Sequence, residues 1–199
     1  MLIAIDLLGT LAFAITGASK AIQHKLDWLG VIILAVTTGV GGGIIRDIIL
    51  GSTPPVAIKS SMYIITCIAA AAITLGAKRI VSASWKWVLI ADALGLGFFT
   101  AVGASKAALL EGGPVAIILM ATITASGGGM LRDMLVGEIP QVLKSDFYAT
   151  AAIAGGILFV LLEPLGITSI DTKMLVTTLF TFALRVFAMR HKIHLPHAE

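Results

Sequence analysis

Seven long apolar stretches alternate with short polar or Gly/Pro-rich connections along this chain: Leu2–Ile22, Leu29–Leu50, Val56–Leu75, Trp85–Leu110, Val115–Val136, Val142–Leu162 and Leu175–Met189. Most approach the roughly 20 residues that a helix needs to cross hydrocarbon. None alternates strictly between apolar and polar residues, so helices are expected rather than barrel strands, because backbone in lipid must satisfy its own hydrogen bonds. The breaks fall at Gln23-His24-Lys25, Ser52-Thr53-Pro54-Pro55, Lys78-Arg79, Glu111-Gly112-Gly113-Pro114, Glu138-Ile139-Pro140 and Glu163 through Lys173. Each is short enough to make successive helices neighbours.

The chain repeats itself. A shift of 86 positions lays Asp6 on Asp92, Gly9 on Gly95, Phe13 on Phe99 and Gly17-Ala18-Ser19-Lys20-Ala21 on Gly103-Ala104-Ser105-Lys106-Ala107. It also lays Gly41-Gly42-Gly43 on Gly127-Gly128-Gly129, Arg46-Asp47 on Arg132-Asp133, Gly51 on Gly137 and Pro54 on Pro140. After one deletion, Lys59 and Tyr63 fall on Lys144 and Tyr148. Three spans per copy is an odd number, so the second copy must enter the membrane from the other side. The expected fold is all-α and transmembrane: seven helices, an inverted repeat of two three-helix bundles plus a seventh helix. It forms a single membrane domain over residues 1–199, with one repeat at about 2–78, the other at about 86–163 and the extra helix at about 174–190.

Composition agrees with a lipid environment: 58% of residues are hydrophobic, 13% are charged and mean hydropathy is +1.02. The formal charge of +3 comes from scattered Lys and Arg, which argues against a nucleic-acid partner. Lys25, Lys78, Arg79, Lys86, Lys144, Arg190 and Lys192 fall on one side and Lys59 and Lys173 on the other, so the C-terminus is expected in the cytoplasm and the N-terminus outside. The single cysteine, Cys67, lies in an apolar run and is expected to be a small buried residue. His191, His194 and His197 suit a solvated tail better than a metal site. There is no nucleophile elbow, P-loop, dinucleotide fingerprint or His/Cys metal spacing, so neither an enzyme nor a resident cofactor is expected.

Chemistry concentrates in the duplicated GGGxxRD. Glycine costs about 1 kcal/mol relative to Ala within a helix, so three in succession predict an interruption whose freed carbonyls could line a path at Gly41–Gly43 and Gly127–Gly129. The alternative is close helix packing, which small residues favour in a bilayer. Arg46, Asp47, Arg132 and Asp133 follow directly. An ionisable group in the hydrocarbon costs about 2.5–3.5 kcal/mol, so these residues must be paired or wet, as gating charges, structural pairs or direct ion contacts. At roughly 100° per residue, Asp6, Gly9, Phe13, Gly17 and Lys20 form one stripe, and Asp92, Gly95, Phe99, Gly103 and Lys106 form its copy. Both are expected to face the interior, with Phe13 and Phe99 as constrictions or core filling. Thr38, Thr124 and Ser126, with Thr37 and Thr122, are candidate hydroxyls for the path or donors to their own helix.

Two copies of GGGxxRD, each preceded by a GASK helix, resemble the prokaryotic members of the trimeric intracellular cation channel family, formerly an uncharacterised membrane family with a so-called glycine transporter domain. The resemblance covers essentially the whole chain. It implies a homotrimer in the bacterial or archaeal cell membrane, one pore per protomer, and permeant potassium or sodium as the only metal, bound transiently. It also implies that the two glycine triplets are kinks beside that pore. A secondary transporter of a small amino acid such as glycine fits inverted repeats equally well.

Overall fold

The structure is a computed structural model that describes residues 1–78, 85–144 and 147–191. The described residues are helical apart from turns and short connections. In chain order the helices are α1 (Leu2–Gln23), α2 (Trp28–Ile49), α3 (Val56–Lys59), α4 (Ser61–Gly76), α5 (Trp85–Leu109), α6 (Pro114–Leu135), α7 (Gln141–Lys144), α8 (Ala149–Leu161) and α9 (Ile170–His191). Arg79, Lys192, His194 and His197 lie outside the described residues.

Five of these helices, α1, α2, α5, α6 and α9, are long and apolar enough to cross a membrane, while α4 and α8 are shorter apolar helices. The third stretch of each repeat is therefore not one uniform span. Ser60 is extended and divides Val56–Leu75 into α3 and α4. The cause lies in the preceding helix. The Asp47 carboxylate accepts the Val56 N–H at 3.0 Å, and Asp133 accepts that of Gln141 at 2.9 Å. A carboxylate at a helix N-terminus satisfies a free donor and complements the dipole, so each Arg-Asp motif nucleates the short helix that follows it. At α2 the same device is local, with Asp27 accepting from Gly30 N at 2.7 Å.

The centre is a four-helix packing of α1, α2, α5 and α6, with α4 against α1 and α2 and α8 against α5 and α6. Helix α9 packs on α5 and α8, beside the second copy alone. Two glycines admit it there. A Cβ on Gly97 would sit 2.7 Å from the Thr178 carbonyl oxygen, and one on Gly155 would sit 2.1 Å from the Thr181 hydroxyl. The equivalent positions of the first copy hold Leu11 and Ala70. Large apolar side chains cover the outside, including Trp28, Ile65, Leu29 and Met134, each more than half exposed. Charge is collected inside instead: Asp6, Arg46, Asp47, Asp92, Arg132 and Asp133 are all buried. A surface of this kind suits hydrocarbon, and only compensated charges can sit within it.

Candidate functional site

The glycine triplets do not interrupt their helices. Helices α2 and α6 run through Gly41–Gly43 and Gly127–Gly129 without a break, which corrects the expectation of an opened turn. The reason is the crossing of the two helices. A Cβ on Gly42 would lie 2.3 Å from the Thr124 carbonyl oxygen, and one on Gly128 would lie 2.2 Å from that of Thr38. Backbone meets backbone there, and tight packing between helices offsets the poor helix propensity of glycine. The carbonyls stay within the helices. The candidate hydroxyls turn inward in the same way: Thr38 donates to Leu34 O at 2.5 Å, Thr124 to Met120 O at 2.6 Å and Ser126 to Thr122 O at 2.7 Å.

The two stripes meet, with a reciprocity that the sequence does not display. Phe13 and Phe99 touch edge to face, with centroids 5.2 Å apart and an interplanar angle of 78°. Each ring lies on the other copy's glycine. A Cβ on Gly9 would be 2.8 Å from the Phe99 ring, and one on Gly95 would be 2.2 Å from the Phe13 ring. The second glycine of each stripe seats the neighbouring helix of its own copy. Gly17 faces Leu34 O, and Gly103 faces Met120 O.

Two buried charge clusters flank this centre. In the first, Arg46 Nε donates to Asp47 Oδ1 at 2.9 Å, and its Nη2 lies 3.7 Å from Asp6 Oδ2. Tyr63 donates its hydroxyl to Asp6 at 3.0 Å, and Lys106 reaches Asp47 at 3.0 Å. A cavity of about 10 Å³ beside Arg46 is bounded by Asp6, Thr10, Gly43, Asp47 and Tyr63. That is roughly the room of one water molecule. In the second cluster, Arg132 Nε donates to Asp133 at 2.9 Å, and Nη1 donates to Asp92 at 2.8 Å and to Thr16 at 2.9 Å. The position equivalent to Thr16 in the other copy is Val102, and Arg46 Nη1 has no hydrogen-bond partner.

The lysines break the symmetry further. Lys106 enters the first cluster, whereas Lys20 pairs with Glu138 at 2.8 Å, and His24 meets the other Glu138 oxygen at 2.9 Å. Glu138 lies in the turn after α6, where the hydrogen bond from Lys20 leads in holding its carboxyl below the usual range. The first copy has Ser52 at that position.

Comparison with known proteins follows this duplication. The family model described as "Glycine transporter" matches the chain twice, at residues 3–79 and 89–164. The chain belongs to that family. Its relatives in the glycine transporter family include a UPF0126 membrane protein of Vibrio cholerae, 39% identical over 98% of this chain and 82% of the relative. The UPF0126 inner membrane protein YadS of Escherichia coli is 35% identical over 96% of this chain and 93% of its own. Among solved structures, one describing conductance through TRIC cation channels is 38% identical, with a TM-score of 0.90 over 98% of this chain and 96% of that chain. The TRIC trimeric intracellular cation channel orthologue from Rhodobacter sphaeroides gives 34% identity and a TM-score of 0.90 over 96% and 98%. The resemblance to this channel family therefore holds in sequence and in fold, and the protein is an integral membrane protein.

For this glycine transporter family member, duplication located most of the site: the Arg-Asp motifs, Asp6, Asp92 and both aromatics lie together. It did not locate Glu138 or Thr16, because neither has an identical counterpart in the other copy. Tyr63 and Tyr148 are visible as a repeated pair, yet nothing in their spacing shows that Tyr63 reaches back to Asp6 on α1.

Proposed function

We propose that the protein is a cation channel that passes monovalent ions, chiefly potassium, through a path inside each protomer where the two copies meet. The observation that carries this reading is the full-length likeness, at a TM-score of 0.90, to a structure concerned with conductance through TRIC cation channels. The charge clusters support it. Arg46, Arg132, Lys20 and Lys106 would repel cations if bare, yet each meets a carboxylate oxygen at 3.0 Å or less. In this reading Phe13 on Phe99 and Gly42 on Gly128 form the shut centre, and the ion pairs are the gates on either side of it. The paired charges act in gating rather than as a selectivity ring. Potassium or sodium is then a permeant ion, with no resident cofactor.

The topology in this reading is seven spans in inverted repeats, with the repeats at about 2–78 and 86–163. Its support is the pairing of helix ends. Lys20, near the end of α1, meets Glu138 just beyond α6, and Lys106, near the end of α5, meets Asp47 near the end of α2. With the short α1–α2 connection, this sets α1 antiparallel to α5. We place the protein in the inner membrane with its N-terminus outside, and read it as a homotrimer like the Rhodobacter orthologue.

The test is single-channel recording of the purified protein in planar bilayers under a potassium chloride gradient. Discrete steps reversing near the potassium potential are expected. Reproducible silence, with saturable uptake of labelled glycine into liposomes, would replace the channel by a transporter.

A further inference from the structure

Helix α9 has no counterpart in the repeat, yet it buries a polar stripe. Lys173, Thr177, Thr181 and Arg185 recur every fourth residue, and all four are buried. Arg185 is the most demanding of them. It is 4% exposed, and among the described residues its Nε has no hydrogen-bond partner and no carboxylate lies within 4.0 Å of it. Its guanidinium lies over the ring of Tyr148, 5.0 Å from the centroid. A buried cation of this kind needs compensation that one ring face supplies only in part.

The charge inventory of the two clusters differs. The first cluster holds two carboxylates, Asp6 and Asp47, and two cations, Arg46 and Lys106. The second holds Asp92 and Asp133 with Arg132, and the lysine equivalent to Lys106 is engaged elsewhere, on Glu138. Among the described residues it is one positive charge short of the first. Tyr148 stands beside Arg132: a Cβ on Gly129 would lie 3.2 Å from the tyrosine hydroxyl oxygen and 3.7 Å from Arg132 Nη2. The two copies have also exchanged partners. In the first, the tyrosine holds the acid at 3.0 Å and the arginine stands off at 3.7 Å; in the second, the arginine holds the acid at 2.8 Å. Among the described residues the Tyr148 hydroxyl itself makes no hydrogen bond.

We propose that Arg185 is the fourth charge of the second cluster, a positioning residue by which the extra helix fixes the Tyr148 ring and keeps the Asp92–Arg132 pair closed. The extra helix is thus part of the gate of the second copy, a statement whose gating half rests on the channel reading above.

A double-substitution cycle on the purified full chain tests the charge half without requiring a current. R185M and D92N each lower the thermal midpoint, and R185M/D92N recovers most of the loss because the cluster is neutral again. R185K keeps the charge and stays near the wild-type midpoint. If the two losses simply add, Arg185 is filling space and the proposal is overturned. Where the wild type gives channel steps, R185M raises open probability several-fold at unchanged unitary conductance. An unchanged open probability beside a positive cycle removes the gating half and leaves the charge assignment standing. A silent wild type counts against the channel reading alone.

Discussion

Substituting the six triplet glycines one at a time separates a packed crossing from an opened turn. In a packed crossing the middle glycines are the intolerant ones. The Cβ of G42A would stand 2.3 Å from Thr124 O, and that of G128A 2.2 Å from Thr38 O. An ordinary C···O contact is about 3.3 Å, so each substitution must separate the backbones by roughly 1 Å. Overpacking of this order costs about 1–3 kcal/mol, and Ala returns up to about 1 kcal/mol of helix propensity. The net loss of up to about 2 kcal/mol corresponds to a thermal midpoint lower by up to roughly 6 °C for a chain of this size. The flanking positions differ. A Cβ on Gly43 would meet only the guanidinium end of Arg46, at an ordinary contact distance of 3.4 Å, and one on Gly129 would meet the Tyr148 hydroxyl at 3.2 Å. G43A should therefore be neutral or slightly stabilising. Thermal unfolding in detergent of the single variants gives the order. Equal losses across a triplet, or a tolerated G42A beside a damaging G43A, would refute the crossing and restore the opened turn.

Other expectations follow from the asymmetry of the clusters. T16V removes a hydroxyl from Arg132 and should lower stability by about 1.5–3 kcal/mol, the range for hydrogen bonds to charged groups. V102T offers Arg46 the equivalent partner and should raise stability; paired melts of the two variants check both signs. Glu138 has a lowered folded-state pKa, so its contribution is complete above the unfolded value of 4.5 and is lost as pH falls through the lower folded value. A melt series from neutral pH into acid should show this loss in the wild type and not in E138Q. F13A should cost about 3–5 kcal/mol as a buried aromatic truncation and, in bilayer recordings, should increase leak current.

Much of the fold was legible because lipid imposes a simple rule, and long apolar runs have few other uses. The site was half legible, through identity between the copies. The triplets mislead when propensity is read helix by helix: three glycines look like a weak point until a second helix lies on them, with Gly42 against Thr124 and Gly128 against Thr38. The divided third span was hidden because Asp47 and Asp133 act on residues nine and eight positions away, across the turn. Glu138 and Arg185 were hidden for the opposite reason. One is where a copy departs from the other and one lies outside both, and a search for likeness passes over them.

The exchange of aromatic seats has a hereditary consequence. Phe13 rests on Gly95 and Phe99 rests on Gly9, so each copy carries the socket for the other's side chain. After duplication, neither half was free to drift alone. A bulkier residue at position 95 could be accommodated only by trimming position 13, in a different part of the gene. Homologous sequences should therefore covary across the repeats, pairing 9 with 99 and 13 with 95, more strongly than within either one.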